Sequence, residues 1–229
     1  QGTDPLGEKN YLAFLMGVLM GTGAPCTGRF SAVTKSPLTG IMLHSSCGGP
    51  FGMAYKTAGY DGLLISGKAP SPVVVDIEAN NVRIVDAADY WGMDTQTVQR
   101  ALNPDGKAGV LAIGPAGENL VRLANVITGG VTGARAAGRG GVGAVMGSKN
   151  LKAVAVNGTG DVGLADREGL KKTIRDTVPK MVNDPLRRLK KAQFIYSFFI
   201  DDGRNSVHNW RDGNLPGFPL LPNERPCLL

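Results

Sequence analysis

The sequence predicts an α+β chain, with short strands, tight turns and two helix-plus-strand units first and a helical region after them. Three observations carry this reading. Glycine is unevenly spread: 28 of the 33 glycines lie in residues 1–160 and five follow, as when turn-rich strands give way to helix. The hydrophobic period changes at the same place, from short apolar runs to helical spacing. One pattern also occurs twice. "GGPFGMAYKTAGYDGLLISG" (48–67) and "GGVGAVMGSKNLKAVAVNG" (140–158) each open on Gly-Gly and pass through a further glycine and a helix-compatible stretch. Each ends on a four-residue apolar strand closed by glycine, and the interval from Gly52 to Gly67 equals that from Gly143 to Gly158. Glycine-rich segments also resemble one another by chance. A true duplication places the two loops about a pseudo-twofold axis, where one ligand is held from both sides.

The elements follow in order. Tyr11–Met20, the longest apolar run, is about half of what a membrane-spanning helix needs and has no basic segment before it; it reads as a buried strand. "GTGAPCTGRFSAVTKSPLTG" (21–40) reads as a glycine-rich turn, Arg29, a strand-like run reaching Lys35, and a turn at 36–40. "LHSSCGGPFG" (43–52) brings Ser45, Ser46 and Cys47 to the second glycine turn. Hydroxyls there either hydrogen-bond a polar heterocycle or cap the next helix. Residues 72–87 read as a hairpin turning near Asn80-Asn81, and 109–114 as a buried strand. Asp166 is placed to cap a helix with Leu170, Ile174 and Val178 on one face, which Pro179 kinks or ends. "PLRRLKKAQFIYSFFID" reads as a second helix and "NLPGFPLLPNERPCLL" as an irregular tail. A boundary near 158–164 separates a domain of residues 1–160 from residues 161–229.

Composition excludes several classes. With 42% apolar and 19% charged residues the chain is of globular type. The net charge of +6 is spread, with 13 Lys+Arg against 10 Asp+Glu in residues 1–160 and 12 against 9 after them. "RRLKK" at 187–191 reads as a solvated helix face, so no nucleic-acid partner is expected. Cys26, Cys47 and Cys227 are far apart, which argues against a disulfide framework and suits a reducing cytoplasm. There is no C-x-x-C and no His pair, hence no recognisable zinc or iron–sulfur site of the chain's own. His44 and His208 stand alone and receive no role. No Ser/His/Asp or Cys/His motif supports a hydrolase.

The second glycine loop, "ARAAGRGGVGAVMGSKNLKAVAVNG" (134–158), raises the chemical question. Gly138-x-Gly140-x-x-Gly143 matches the dinucleotide fingerprint, but that fingerprint needs a strand before it and an acidic residue about 20 positions later. Here "TGARAA" precedes it, and the apolar strand follows the helix. What remains is physical. Glycines admit a bulky ligand to the backbone, and N–H groups at a helix start attract anions. Arg135 and Arg139 either give bidentate contacts to a phosphate or a pterin edge, or serve as surface charge. Cys47 is either a metal ligand or simply packed.

Four segments together resemble the amino-terminal domain of the tungsten-containing aldehyde:ferredoxin oxidoreductase family. They are "TGRFSAVTKSPLTG", "GGPFGMAYKTAGYDGLLISGKA", "AIGPAGENLVRLANV" and "RAAGRGGVGAVMGSKNLKAVAVNG", which appear in family order over roughly residues 5–160. The resemblance implies an α+β base of duplicated sheet units that carries a bis-pyranopterin tungsten (or molybdenum) cofactor, followed by the start of a helical domain. It maps cofactor contacts onto Arg29, Gly48, Arg135 and Ala136, with Gly138 and Arg139 beside them. Ser46 stands where well-known members have asparagine, a shorter side chain with one donor in place of two. "ERPCLL" brings Cys227 to a position like the first ligand of the family's [4Fe–4S] cluster. The family's acid/base residues lie on helical domains beyond this sequence, so no catalytic residue is assigned. The expectation is a fragment of an aldehyde-oxidising enzyme, or a short homologue that needs a partner chain, with ferredoxin as the electron acceptor of the complete protein and no membrane partner. A related branch reduces aromatic thioesters. The alternative is a non-catalytic scaffold that keeps the fold without cofactor.

Overall fold

Alternating burial builds the first sheet. The computed structural model describes residues 2–79, 81–130 and 133–183; the expected second helix, the irregular tail, His208 and Cys227 lie outside them. In β1 (Leu12–Met16) the side chains of Leu12, Phe14 and Met16 are buried, while Leu15 is exposed. That is the signature of a strand with one face on a core. β2 (Phe30–Lys35) pairs antiparallel with β1, and β3 (Met42–Cys47) with β2, so that Met16, Phe30 and Cys47 stand in one row. The strand expected over Tyr11–Met20 is shorter than that. Pairing to β2 stops at Met16, the Met20 N–H turns back to the Gly17 carbonyl, and Val18 is 85% exposed. The turn at 36–40 forms as expected, with Ser36 Oγ accepting from the N–H groups of Leu38 and Thr39. α1 (Pro50–Thr57) follows, with Pro50 where its missing N–H costs nothing. Its N-cap is Gly49 at φ +103° with no side-chain cap, so Ser45 and Ser46 do not cap it. β4 (Gly62–Ile65) returns antiparallel to β1.

The second sheet repeats this plan and adds to it. β5 (Val73–Glu78) and β6 (Asn81–Asp86) form the expected hairpin. α2 (Thr95–Leu102) is capped by Asp94, and β7 (Gly109–Ala112) is buried at all four residues. α3 (Pro115–Glu118), β8 (Val126–Thr128), β9 (Arg135–Ala137), α4 (Val142–Ser148) and β10 (Leu151–Asn157) follow. The orders are β3-β2-β1-β4 and β6-β5-β10-β7-β8-β9. Read from its far edge, β9-β8-β7-β10 reproduces the first sheet strand for strand, every pairing antiparallel. A helix precedes the last strand in both. The register agrees as well: Gly62 faces Leu15 in one copy and Ala153 faces Ala112 in the other. Each of these stands five residues before its closing glycine. Because β9 and β10 run in opposite directions, β9-α4-β10 is not the parallel unit of a dinucleotide fold.

Helices α1 and α4 lie between the sheets. α1 packs on β7 and β10, and α4 on β10, β2 and β1. Phe14, Phe30 and Phe51 meet edge to face with centroids 5.3–6.3 Å apart, each pair worth about 0.5–1.5 kcal/mol beyond burial. Each repeat's glycine loop seats on the strands of the other. A Cβ at Gly49 would stand 2.8 Å from Thr128 Cγ2, and one at Gly140 would stand 2.9 Å from Leu43 Cδ1. The Gly140 carbonyl also accepts a buried bond from Ser36 Oγ at 2.7 Å. On the other face of the second sheet, Val98 of α2 packs with Val74, Val110 and Ala153.

The described residues from Asp166 to Asn183 belong to a separate unit. α5 (Arg167–Asn183) starts as expected, with Asp166 Oδ1 accepting from the Gly169 N–H at 2.8 Å. Pro179 does not end it, since the helix runs on to Asn183. No residue of α5 is fully buried, so water can take up the carbonyl that Pro179 leaves unbonded. Among the described residues no helix is long and apolar enough to cross a membrane.

Two interactions tie elements together and can be tested. Lys152 is wholly buried in β10, beyond the four-residue apolar strand expected there. It pairs with Glu118 and donates to the Met93 carbonyl at 2.7 Å, while Glu118 accepts from the Gly92 N–H. Removing one partner strands the other charge, so Lys152→Met lowers stability by roughly 3 kcal/mol. Lys152→Met combined with Glu118→Leu recovers most of that loss in denaturant titrations. Tyr55, also buried, donates to the Gly62 carbonyl at 3.0 Å and joins α1 to β4. Burial, then the neighbouring Tyr60, push its phenol up to about 12. Folding therefore favours the neutral phenol. This stabilisation is complete below the usual tyrosine range near pH 10 and is lost as pH rises towards 12. Tyrosinate absorbance will show Tyr55 among the last of the five tyrosines to ionise, and Tyr55→Phe removes that alkaline loss.

Candidate functional site

The two sheets come together at β3 and β9, and most of the expected site residues gather there. Strand alternation puts Ser46 and His44 on the outer face of the first sheet, with Ser45 and Cys47 beneath. Arg29, just before β2, folds over Ser46: Nε donates to Ser46 Oγ at 2.9 Å and Nη2 to the Ser46 carbonyl at 2.8 Å. Two bonds from one planar group hold the guanidinium in place. Next along the chain, Gly48 has no heavy atom within 4 Å of where a Cβ would stand, so its backbone is open to approach. The position of a Cβ on Gly49 lies 3.8 Å from Arg135 Cβ, and Arg135 comes from the other repeat. Arg135 Nη1 donates to the Ala134 carbonyl at 2.9 Å, and Ala136 is exposed beside it. Arg29 and Arg135 thus flank Cys47–Gly49. The Cys47 thiol registers both: burial pushes it up, while the two guanidiniums pull the other way.

Gly138 and Arg139 belong to the second loop. This loop is seated by Gly140 on Ser36 and Leu43, towards the other end of β3 and roughly 17 Å along the strand from Gly48. Arg139 is exposed and left-handed at φ +61°. The arrangement is therefore two loops, each seated on the other repeat, the first carrying most of the expected contacts and the second lying further along β3. Among the described residues no ion pair includes Arg29, Arg135 or Arg139. Arg29 and Arg135, two uncompensated guanidiniums beside the open backbone of Gly48, suit a flat, anionic ligand, and Arg139 adds a third charge on the second loop. Beneath Gly49, the buried Thr128 Oγ1 has no hydrogen-bond partner. Among the described residues no group of three or more His, Cys, Asp or Glu is placed to hold a metal ion.

One pair escaped sequence reasoning. Ser31 Oγ and His44 Nε2 are 2.8 Å apart on the outer face of the first sheet. Its only signal was the hairpin register, which sets His44 opposite Val33 and Ser46 opposite Ser31, leaving Ser31 and His44 diagonal neighbours. Much of the rest of that face is apolar, with Lys35 at the far end of β2. A cavity of about 1110 Å³ there is lined by Tyr11, Ala13, Val33, Lys35, Met42 and Leu64 among others.

Residues 1–158 match the family described as "Aldehyde ferredoxin oxidoreductase, N-terminal domain". The chain belongs to this family. The chain is 45% identical over 220 residues to the tungsten-containing aldehyde ferredoxin oxidoreductase of Pyrococcus furiosus, a match spanning 93% of the chain and 36% of that relative. To the enzyme of the same name from Pyrococcus abyssi it is 46% identical, over 80% of the chain and 30% of that protein. An aliphatic sulfonate oxidoreductase, WOR-like subunit, of Pyrococcus furiosus is 35% identical over 91% of the chain and 35% of its own length. Among solved structures, the active site complex BamBC of benzoyl coenzyme A reductase in complex with 1,5-dienoyl-CoA superposes with a TM-score of 0.71 at 37% identity. That match covers 80% of the chain and 28% of the other. The chain thus spans about a third of the length of the curated relatives it matches.

The thiols offer a local test of this geometry. Cys26 is exposed, whereas Cys47 is buried with its S–H directed to the Gly48 carbonyl at 3.2 Å. Iodoacetamide will label Cys26 at neutral pH while Cys47 stays unmodified until the fold is denatured, as read by peptide mass mapping.

Proposed function

We propose that this chain is the cofactor-holding portion of a tungsten oxidoreductase, with residues 1–160 forming the base and residues 161–229 beginning the helical part. One observation carries the reading: open backbone at Gly48, flanked by an arginine without a carboxylate partner from each of two repeats of the same strand order. The residues fit a bis-pyranopterin. Its flat rings need backbone free of side chains, its phosphates need guanidiniums and N–H donors, and its two pterins suit two glycine loops, one from each repeat. Arg29, Arg135 and the Gly48 backbone would bind it, with Ala136, Gly138 and Arg139 alongside. Ser46 would act chiefly through Arg29, whose guanidinium it already holds.

When bound, such a group would supply two-electron chemistry, the oxidation of an aldehyde and water to a carboxylic acid and two protons, with a [4Fe–4S] cluster held outside the described residues and ferredoxin as onward acceptors. This chain's residues orient the cofactor and supply positive charge beside it; proton handling falls to residues beyond it. Aldehydes are favoured as substrates because identity to the aldehyde ferredoxin oxidoreductases is 43–46%, against 35% for the sulfonate relative and 37% for the benzoyl-CoA one.

In the full-length polypeptide purified without oxygen, Arg29→Ala and Arg135→Ala each lower the pterin retained after dialysis at least about tenfold, the cost of losing a charge-assisted contact. Lys107→Ala, on an exposed loop away from the site, leaves retention unchanged. Equal retention in all three proteins would count against the site.

A further inference from the structure

We propose that His44, its ring fixed by Ser31, is a further cofactor-contacting residue of this domain, an inference that rests on the pterin-holding reading above. The Ser31–His44 bond lies in a short polar strip on the outer face of the first sheet. Arg29 bonds Ser46, Ser46 stands opposite Ser31, and Ser31 reaches His44 at 2.8 Å. The neighbouring positions of the same face are apolar: Ala13, Leu15, Val33 and Leu64.

Counting donors shows what the strip can offer. Ser46 Oγ already accepts from Arg29 Nε and retains one hydroxyl proton to give. Among the described residues His44 Nδ1 has no partner. If Ser31 donates to Nε2, Nδ1 carries a proton and is a donor. In the other tautomer Nε2 donates to Ser31, whose hydroxyl proton becomes free while Nδ1 accepts. Either way the pair adds one fixed donor beside Ser46, where the serine alone provides little. His44 is exposed, so any group that covers it must bring a polar atom or leave a ring nitrogen unsatisfied. Burying such a nitrogen without a partner is unfavourable. The acceptor-rich edge of the cofactor, held at the adjacent Arg29, is the partner nearest to hand. Ser31 is then a positioning residue and His44 the contact.

The test uses the full-length polypeptide, produced with tungsten and purified without oxygen. Pterin and tungsten per chain are measured before and after prolonged dialysis in wild type, Ser31→Ala, Ser31→Thr, His44→Leu, His44→Gln and Arg29→Ala. His44→Leu and Ser31→Ala are expected to retain about fivefold less pterin than wild type, the worth of one hydrogen bond. Ser31→Thr and His44→Gln, which keep polar atoms there, are expected to recover most of it. Thermal unfolding of cofactor-stripped protein should match between wild type and Ser31→Ala, separating cofactor contact from folding. Wild-type retention in both His44→Leu and Ser31→Ala, alongside loss in Arg29→Ala, overturns the role of His44 and leaves the site standing. Absence of pterin from wild type itself overturns both.

Discussion

Each glycine loop of this domain rests on the strands of the other repeat, and the remaining architecture depends on that exchange. The Gly48–Gly49 loop fits against Thr128 and Arg135, and the Gly138–Gly141 loop against Ser36 and Leu43. A side chain at Gly49 would collide with Thr128, and its φ of +103° suits glycine alone. Such seats can form only when both repeats are present, so neither sheet-and-helix unit completes its own ligand-facing edge. Each helix follows directly on its loop and lies between the sheets, and α4 is buried along its whole length.

Charge is handled in two opposite ways. Lys152 and Glu118 are buried together, and their mutual attraction and backbone bonds offset the cost of leaving water. That pair serves the scaffold. Arg29, Arg135 and Arg139 instead stay at the surface without a carboxylate among the described residues. Solvent screens them there, and they gain strength only when a ligand displaces that water. Exposed cations held by backbone carbonyls and a serine are a poor device for stability and a good one for binding an anion.

Much of this was legible in the chain because it lives in local spacing. The two Gly-Gly units, the hairpin at 72–87, the buried strand near 109–114 and the Asp166 cap all follow from period and turn chemistry. The overlong strand at Tyr11–Met20 shows the limit. Apolar residues continue to Met20, yet a strand ends where its partner does, and β2 begins at Phe30. Pro179 shows the same limit for helices, since the loss of one bond is tolerated where the helix surface is wet. Lys152 falls just outside the four-residue apolar strand that the spacing marks, and only the facing Glu118 makes its buried position tenable.

By itself the sequence determined the two matching Gly-Gly units, the strand-and-helix class and the residue types at the proposed site, because spacing of glycine and apolar residues is a property of the chain. Only the tertiary structure decided that β9-β8-β7-β10 copies β3-β2-β1-β4, that Arg135 reaches the first loop, and that Ser31 meets His44. Those contacts join residues whose separations along the chain differ widely, and register between strands, not sequence period, sets which side chains become neighbours.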